Sequence, residues 1–187
     1  MNIEILTLPE IRDVYRHMLK YDFPADERKP LSRIERSMEK GQYLCYGIKD
    51  EAGIAAYAFF VAIDDVFLLD YFAVRKDLRG TGVGSGFLKE LYSSQFRNVS
   101  CILVEVDDPA CADSDEEKAV RKRRLTFYLK NGLRDTGARS RAFGVSFLIL
   151  ECPAGEPHNR EEAGEIYARI YRAILPQRMY TRMIEIL

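Results

Sequence analysis

The stretch on which the fold turns is Leu68-Leu69-Asp70-Tyr71-Phe72-Ala73-Val74, then Arg75–Leu78, then Arg79-Gly80-Thr81-Gly82-Val83-Gly84-Ser85-Gly86. An apolar strand leads through a glycine-rich turn into Phe87, Leu88 and Leu91, which carry a helix to about Phe96. Glycines at such a turn let the backbone approach a ligand closely, and the first N–H groups of the helix face outward. A nest of this kind suits phosphate oxygens, through its N–H donors and the helix dipole. Arg79 adds a fixed charge. A Walker loop needs a glycine-lysine pair, and the chain has none. The dinucleotide fingerprint G-x-G-x-x-G fails as well: counted from Gly80 its last place is Ser85, and from Gly82 it is Phe87.

Outward from that turn, the pattern is mixed. Asn2–Leu6 alternates as a short strand, and Thr7-Leu8-Pro9-Glu10 starts a helix with a capping box. Tyr21–Lys29 reads as a polar loop, and a second helix runs from about Pro30 to a stop at Gly41. Gln42–Lys49 and Ile54–Ile63 flank Asp50-Glu51-Ala52-Gly53 as an antiparallel hairpin, and Val66–Val74 is the third consecutive strand. Cys101–Val106 is a strongly apolar strand. Ser114-Asp115-Glu116-Glu117 opens a capped helix that should end near Asn131, before Gly132. Arg141–Glu151 holds two more strands around Gly144. From about Asn159 the period is helical, with Tyr167, Ile170, Tyr171 and Ile174 as an apolar stripe that should dock within the chain; Pro176 breaks it and a short last helix follows. This order is neither strict βα alternation nor all-β, so the fold class is α+β with a mixed sheet.

Length and composition agree. A chain of 187 residues with 47% hydrophobic and 30% charged residues suits one compact domain over 1–187 that needs no disulfide or metal. A net charge of -1 argues against a broad nucleic-acid binder. No apolar run reaches the roughly 18 residues of a membrane span, and Met1-Asn2-Ile3-Glu4-Ile5 lacks the marks of a signal peptide, so a cytoplasmic location is expected. Cys45, Cys101 and Cys152 sit in or beside apolar runs and read as small buried hydrophobes. His17 and His158 lack ligand spacing to a cysteine or carboxylate, so no metal is expected. Asp107–Glu117 is acidic but lacks the spacing of an EF-hand. Lys118–Arg124 reads as a solvated helix face, with Arg123 or Arg124 as alternatives for reaching a ligand.

The pattern R-x-x-G-x-G, here Arg79-Gly80-Thr81-Gly82-Val83-Gly84, resembles the acetyl-CoA loop of the GNAT N-acetyltransferase superfamily. The strand Asp70–Val74 upstream strengthens the likeness, as does Phe127-Tyr128-Leu129-Lys130-Asn131-Gly132-Leu133 downstream, with Leu133 in place of the usual aromatic. The resemblance covers about Asn2 to Glu151. It implies a mostly antiparallel central sheet flanked by helices over about 1–152. The chain departs from the family at 153–187, an added helical tail that could cover the sheet, close the acceptor cleft or make a dimer. The resemblance implies acetyl-CoA as co-substrate, direct transfer to a primary amine of a small molecule or peptide, and a monomer or homodimer. Backbone groups of Phe72, Ala73 and Val74 would hold the pantetheine arm, and the N–H groups of Arg79, Gly80, Thr81, Gly82, Val83, Gly84 and Ser85 the pyrophosphate. Tyr128 would protonate or orient the leaving sulfur. The loops Tyr21–Lys29 and Arg139–Gly144 would face the acceptor.

An ammonium has no lone pair, so the acceptor must lose a proton before it attacks. Glu105 and Asp70, carboxylates in apolar strands, are candidates for the base or its water relay; either can instead form a salt bridge or face solvent. A non-catalytic module that senses acyl-CoA is the alternative function.

Overall fold

The structure, a computed structural model, describes residues 2–25, 27–97, 99–152 and 156–187. The expected start of the tail at Pro153 lies outside them, as does Asp26 of the Tyr21–Lys29 segment. The chain forms two compact units, Met1–Ala62 with Leu69–Gln95, and Ile63–Leu68 with Phe96–Leu187.

The first unit begins with β1 (Ile3–Ile5) and α1 (Leu8–Val14). The Glu10 carboxylate accepts from the Thr7 N–H and hydroxyl, at 2.8 and 2.7 Å, so the helix opens at the expected cap. A π-helical turn, Tyr15–Leu19, and the short α2 (Lys20–Asp22) carry it further than the loop expected from Tyr21. α3 (Leu31–Glu39) follows Pro30 and stops at Gly41, whose φ is 69°. Then come β2 (Tyr43–Asp50), β3 (Gly53–Ile63) and β4 (Val66–Val74), whose last residues belong to this unit. The strand order is β1-β2-β3-β4, with β1 to β2 and β2 to β3 antiparallel. α4 (Val83–Glu90) follows the glycine turn. Ile11, Val14, Leu19, Ile34, Tyr57, Phe59, Phe60, Phe87 and Leu88 are buried.

The second unit takes the first residues of β4, then β5 (Cys101–Asp107), α5 (Asp115–Lys130), β6 (Arg134–Ala142) and β7 (Val145–Glu151). The tail supplies α6 (Arg160–Ile174), α7 (Gln177–Met183) and a strand the sequence did not announce, β8 (Ile184–Ile186). From β5 the order is β5-β7-β6-β8, each pair antiparallel. The tail therefore ends as part of a sheet, with Ile186 in register with Ser140. β6 also begins seven residues before the expected Arg141, which turns Arg139–Gly144 from a loop into a strand end and a turn. Its buried side is Thr136, Ala138, Ser140 and Ala142, small or hydroxylated residues that carry no hydrophobic period. Where the β6–β7 register shifts, the Thr136 hydroxyl donates to the Ile149 carbonyl at 2.7 Å.

Tyr167, Ile170 and Tyr171 are buried within this unit, as expected of the stripe. Cys45, Cys101 and Cys152 are buried, and Cys111 is exposed. Among the described residues no helix is long and apolar enough to cross a membrane. Ile170 has no exposed surface, so Ile170→Ala should destabilise the protein by about 2–5 kcal/mol in urea unfolding. Ile5→Ala, at a residue 62% exposed, should stay within about 0.5 kcal/mol.

Candidate functional site

The glycine turn is built from one cation outward. After β4 the Arg75 N–H returns to the Ala55 carbonyl at 2.9 Å, and its guanidinium bridges Asp50 and Asp77 at 2.6 and 2.8 Å. A 3-10 turn, Lys76–Leu78, then reverses the chain. Arg79 ties the reversal down: its Nε donates to the Val74 carbonyl at 2.8 Å and its guanidinium pairs with Asp22 at 2.5 Å. Asp22 also accepts from the Tyr57 hydroxyl at 2.9 Å. The side chain expected to supply charge to a ligand thus braces the end of β4 against α2.

Gly80 and Gly82 take φ of 79° and 91°, and nothing lies within 4 Å of where a Cβ would stand at either. Their demand is conformational rather than steric, and the space above them is open. Gly82 caps α4, whose first bond runs from the Gly86 N–H to the Gly82 carbonyl at 2.9 Å. The amides of Val83, Gly84 and Ser85 precede that bond and so have no acceptor within the helix. The Arg79 and Thr81 amides point instead to the Lys76 and Leu78 carbonyls, at 3.3 and 3.4 Å. Phe87 holds the helix start, its ring stacked on Phe72 at 5.7 Å. Ala73 is buried, and the Val74 carbonyl is taken by Arg79. First-turn amides aligned with the helix dipole form a site for an anion.

Asp70 lies in the same unit. One oxygen accepts from the Lys29 ammonium and the other from the Tyr43 hydroxyl. Lys29 is fixed further, its N–H donating to the Tyr71 hydroxyl at 2.7 Å while that hydroxyl donates to the Glu27 carbonyl at 3.0 Å. Burial, and then the Asp70 charge, push the Tyr43 phenol well above its usual range. Asp70 is an ion-paired carboxylate that anchors the segment after α2.

The second unit holds Tyr128 and Glu105. Tyr128 lies in the last turns of α5 and is buried, with its ring edge-on to Phe127 at 5.3 Å. Burial pushes its phenol above the ordinary value of 10.0, which keeps the proton on. The helix ends behind it as the sequence predicts, with Gly132 at φ 89° and the Leu133 N–H on the Tyr128 carbonyl at 3.2 Å. At the other end of α5, Ser114 Oγ accepts from the Glu117 N–H at 3.1 Å, while Glu117 reaches the Asp113 N–H at 2.8 Å and pairs with Arg121 at 2.7 Å. Arg124 pairs with Asp107.

Glu105 is half-buried in β5, opposite Ile149 of β7. Its Oε1 accepts from two phenols of α6, Tyr167 and Tyr171, the second at 2.8 Å. In the sequence both tyrosines belong to the apolar stripe, yet a buried tyrosine hydroxyl needs a partner, and that is the signal for a polar group facing α6.

A second carboxylate, Glu151, was not singled out by the sequence. It is 2% exposed and accepts from Arg134, from the His158 N–H at 3.2 Å and from Cys101 Sγ at 3.4 Å, with His158 Nδ1 at 2.5 Å. Folding thus brings His158 a cysteine and a carboxylate that its sequence spacing did not offer, their ligand atoms within 4.8 Å of one another. Arg134 already neutralises Glu151, and burial pushes the Cys101 thiol up, so the group closes its own charge. It fastens the chain that leads into α6.

No family model matches this sequence, and no curated protein matches it. Solved structures do. A GNAT-family protein from Bacteroides thetaiotaomicron superposes with a TM-score of 0.68 at 18% identity, over 91% of this chain and 96% of that one. The ribosomal-protein-S18-alanine N-acetyltransferase from Escherichia coli gives 0.61 at 17% identity, over 84% and 96%. A variant of the spermidine N-acetyltransferase from Vibrio cholerae gives 0.60 at 10% identity, over 81% and 94%. With its antiparallel strand pairs, its helices and its glycine turn between β4 and α4, the chain has the fold of the GNAT acetyltransferases.

Proposed function

We propose that this chain is an N-acetyltransferase that moves an acetyl group from acetyl-CoA directly to a primary amine. The observation that carries the reading is the start of α4, where three first-turn amides follow two left-handed glycines in open space. The donor set fits a diphosphate: neutral N–H groups at the positive end of a helix dipole. The amides of Val83, Gly84 and Ser85 would hold it, with Gly80 and Gly82 keeping the approach clear. The backbone of Phe72, Ala73 and Val74 would take the pantetheine arm. The solved neighbours named for alanine and spermidine acetylation support an amine acceptor.

Acetyl-CoA, when bound, supplies the thioester carbonyl that the amine attacks. The chain's own residues manage two protons. Glu105 takes the proton that the acceptor ammonium gives up, and so exposes the nitrogen lone pair. Tyr128, kept protonated by burial, gives its proton to the departing sulfur. Asp70 is committed to Lys29 and Tyr43, which leaves the base role to Glu105.

The direct test is thiol release from acetyl-CoA over a panel of polyamines, amino acids, aminoglycosides and peptides. Turnover with at least one amine is expected. Binding without thiol release across the panel would move the reading to an acyl-CoA sensor, and absence of calorimetric heat with acetyl-CoA would end both readings. Gly82→Ala should cost about 1–2 kcal/mol of stability and raise the KM for acetyl-CoA about tenfold, because an alanine at φ 91° reshapes the nest. Tyr128→Phe should lower kcat by about 100-fold with little change in KM. An unchanged kcat at every pH would remove Tyr128 from the mechanism.

A further inference from the structure

The tail after β7 is fastened by specific polar contacts as well as by apolar burial. Arg134 joins Glu151 to the His158 carbonyl at 2.7 Å just before α6 begins. Asn159 caps the helix through the Glu161 and Glu162 amides, at 2.9 and 3.0 Å, and Glu162 returns to the Asn159 N–H at 2.8 Å. Further along, Gly164 lets β8 come close: a Cβ there would stand 3.2 Å from Ile186. A helix fixed at its cap and along its side has a fixed rotational phase. Tyr167 and Tyr171, one turn apart, therefore present their hydroxyls to one place. Their rings lie 4.9 Å apart, and both hydroxyls donate to Oε1 of Glu105.

Ring packing alone does not ask for this: phenylalanine at both positions would keep the ring contact. The Tyr167 hydroxyl also accepts from the buried Ser140 hydroxyl at 3.0 Å, which leaves its own proton for Glu105. The hydroxyls matter for the carboxylate. Half-burial drives a glutamate toward its neutral form, whereas donated hydrogen bonds favour the anion. We propose that Tyr167 and Tyr171 are positioning residues that hold Glu105 ionised and in one orientation, making α6 part of the catalytic apparatus. The inference rests on reading Glu105 as the base.

The groups facing Glu105 fit this role. Opposite it on β7 stands Ile149, which is apolar. Two residues along its own strand, Asp107 is paired with Arg124. From α6 come the two phenols. Burial and the Glu105 charge push Tyr167 well above its usual range, so it remains a donor at any working pH.

The test uses the full chain labelled with [13C]glutamate, with E105Q identifying the Glu105 carboxyl signal. Tyr167→Phe, Tyr171→Phe and the double variant keep the rings, and unfolding curves verify each fold. In the double variant the Glu105 titration midpoint should rise by about one pH unit, with smaller shifts in the singles. The acid limb of kcat should rise with it, so that turnover below the limb falls about tenfold and recovers at high pH. An unmoved midpoint in any folded variant overturns the clamp. A midpoint that rises while the acid limb stays put overturns its catalytic role. Should E105Q itself turn over like the wild type, the failure is that of Glu105 as base, not of the clamp.

Discussion

The structure depends on a reversal of the backbone that only glycine accepts without strain. β4 ends at Val74, and α4 starts at Val83 from a cap at φ 91°. Between them the chain must turn so that three helical amides face out instead of into the protein. Two left-handed residues achieve the turn, and Arg79 makes it rigid by holding the Val74 carbonyl and Asp22 at once. The pair is half in solvent on the arginine side and buried on the aspartate side. Its value lies in geometry more than in energy, because an exposed guanidinium gains little from pairing. A loop whose hinge atoms are fixed loses less entropy when a ligand arrives.

The second unit solves a different problem, how to keep carboxylates in strands. Glu105 and Glu151 both stand in otherwise apolar segments of β5 and β7. An ionised carboxylate taken out of water needs donors, and each finds at least one in the tail. Glu151 draws in Arg134 from the start of β6 and His158 from the tail. Glu105 draws in two phenols from the helix that follows. The added C-terminal segment is thus tied to the sheet by polar groups at two depths, beside the apolar burial of Ile170.

Sequence carried the turn and most of the elements because local chemistry determines them. Thr7 with Glu10 and the glycines after β4 act within a few residues, and a reader can see those distances in the string. What stayed hidden were partners set by folding. Arg79 reads as a charge for a ligand until Asp22, 57 positions away, meets it. β6 hides because its buried face is threonine, serine and alanine, which mark out no strongly apolar face in the string. β8 hides because Ile184-Glu185-Ile186 is too short to show a period. Tyr167 and Tyr171 satisfy a helical stripe through their ring carbons, which masks the demand of their hydroxyls for a partner.

The contrast between Asp70 and Glu105 shows what such partners decide. Both are carboxylates in strands, and their sequence surroundings rank them almost equally. Asp70 meets the Lys29 ammonium, a full positive charge, and is held in an ion pair with it. Glu105 is held by phenols, neutral donors that stabilise the anion without cancelling it. In the proposed reaction, a carboxylate held that way would keep its charge toward an approaching ammonium. It can also accept a proton without orphaning a cation on those tyrosines. The choice of donor, ammonium or phenol, separates a structural anchor from a group able to exchange protons.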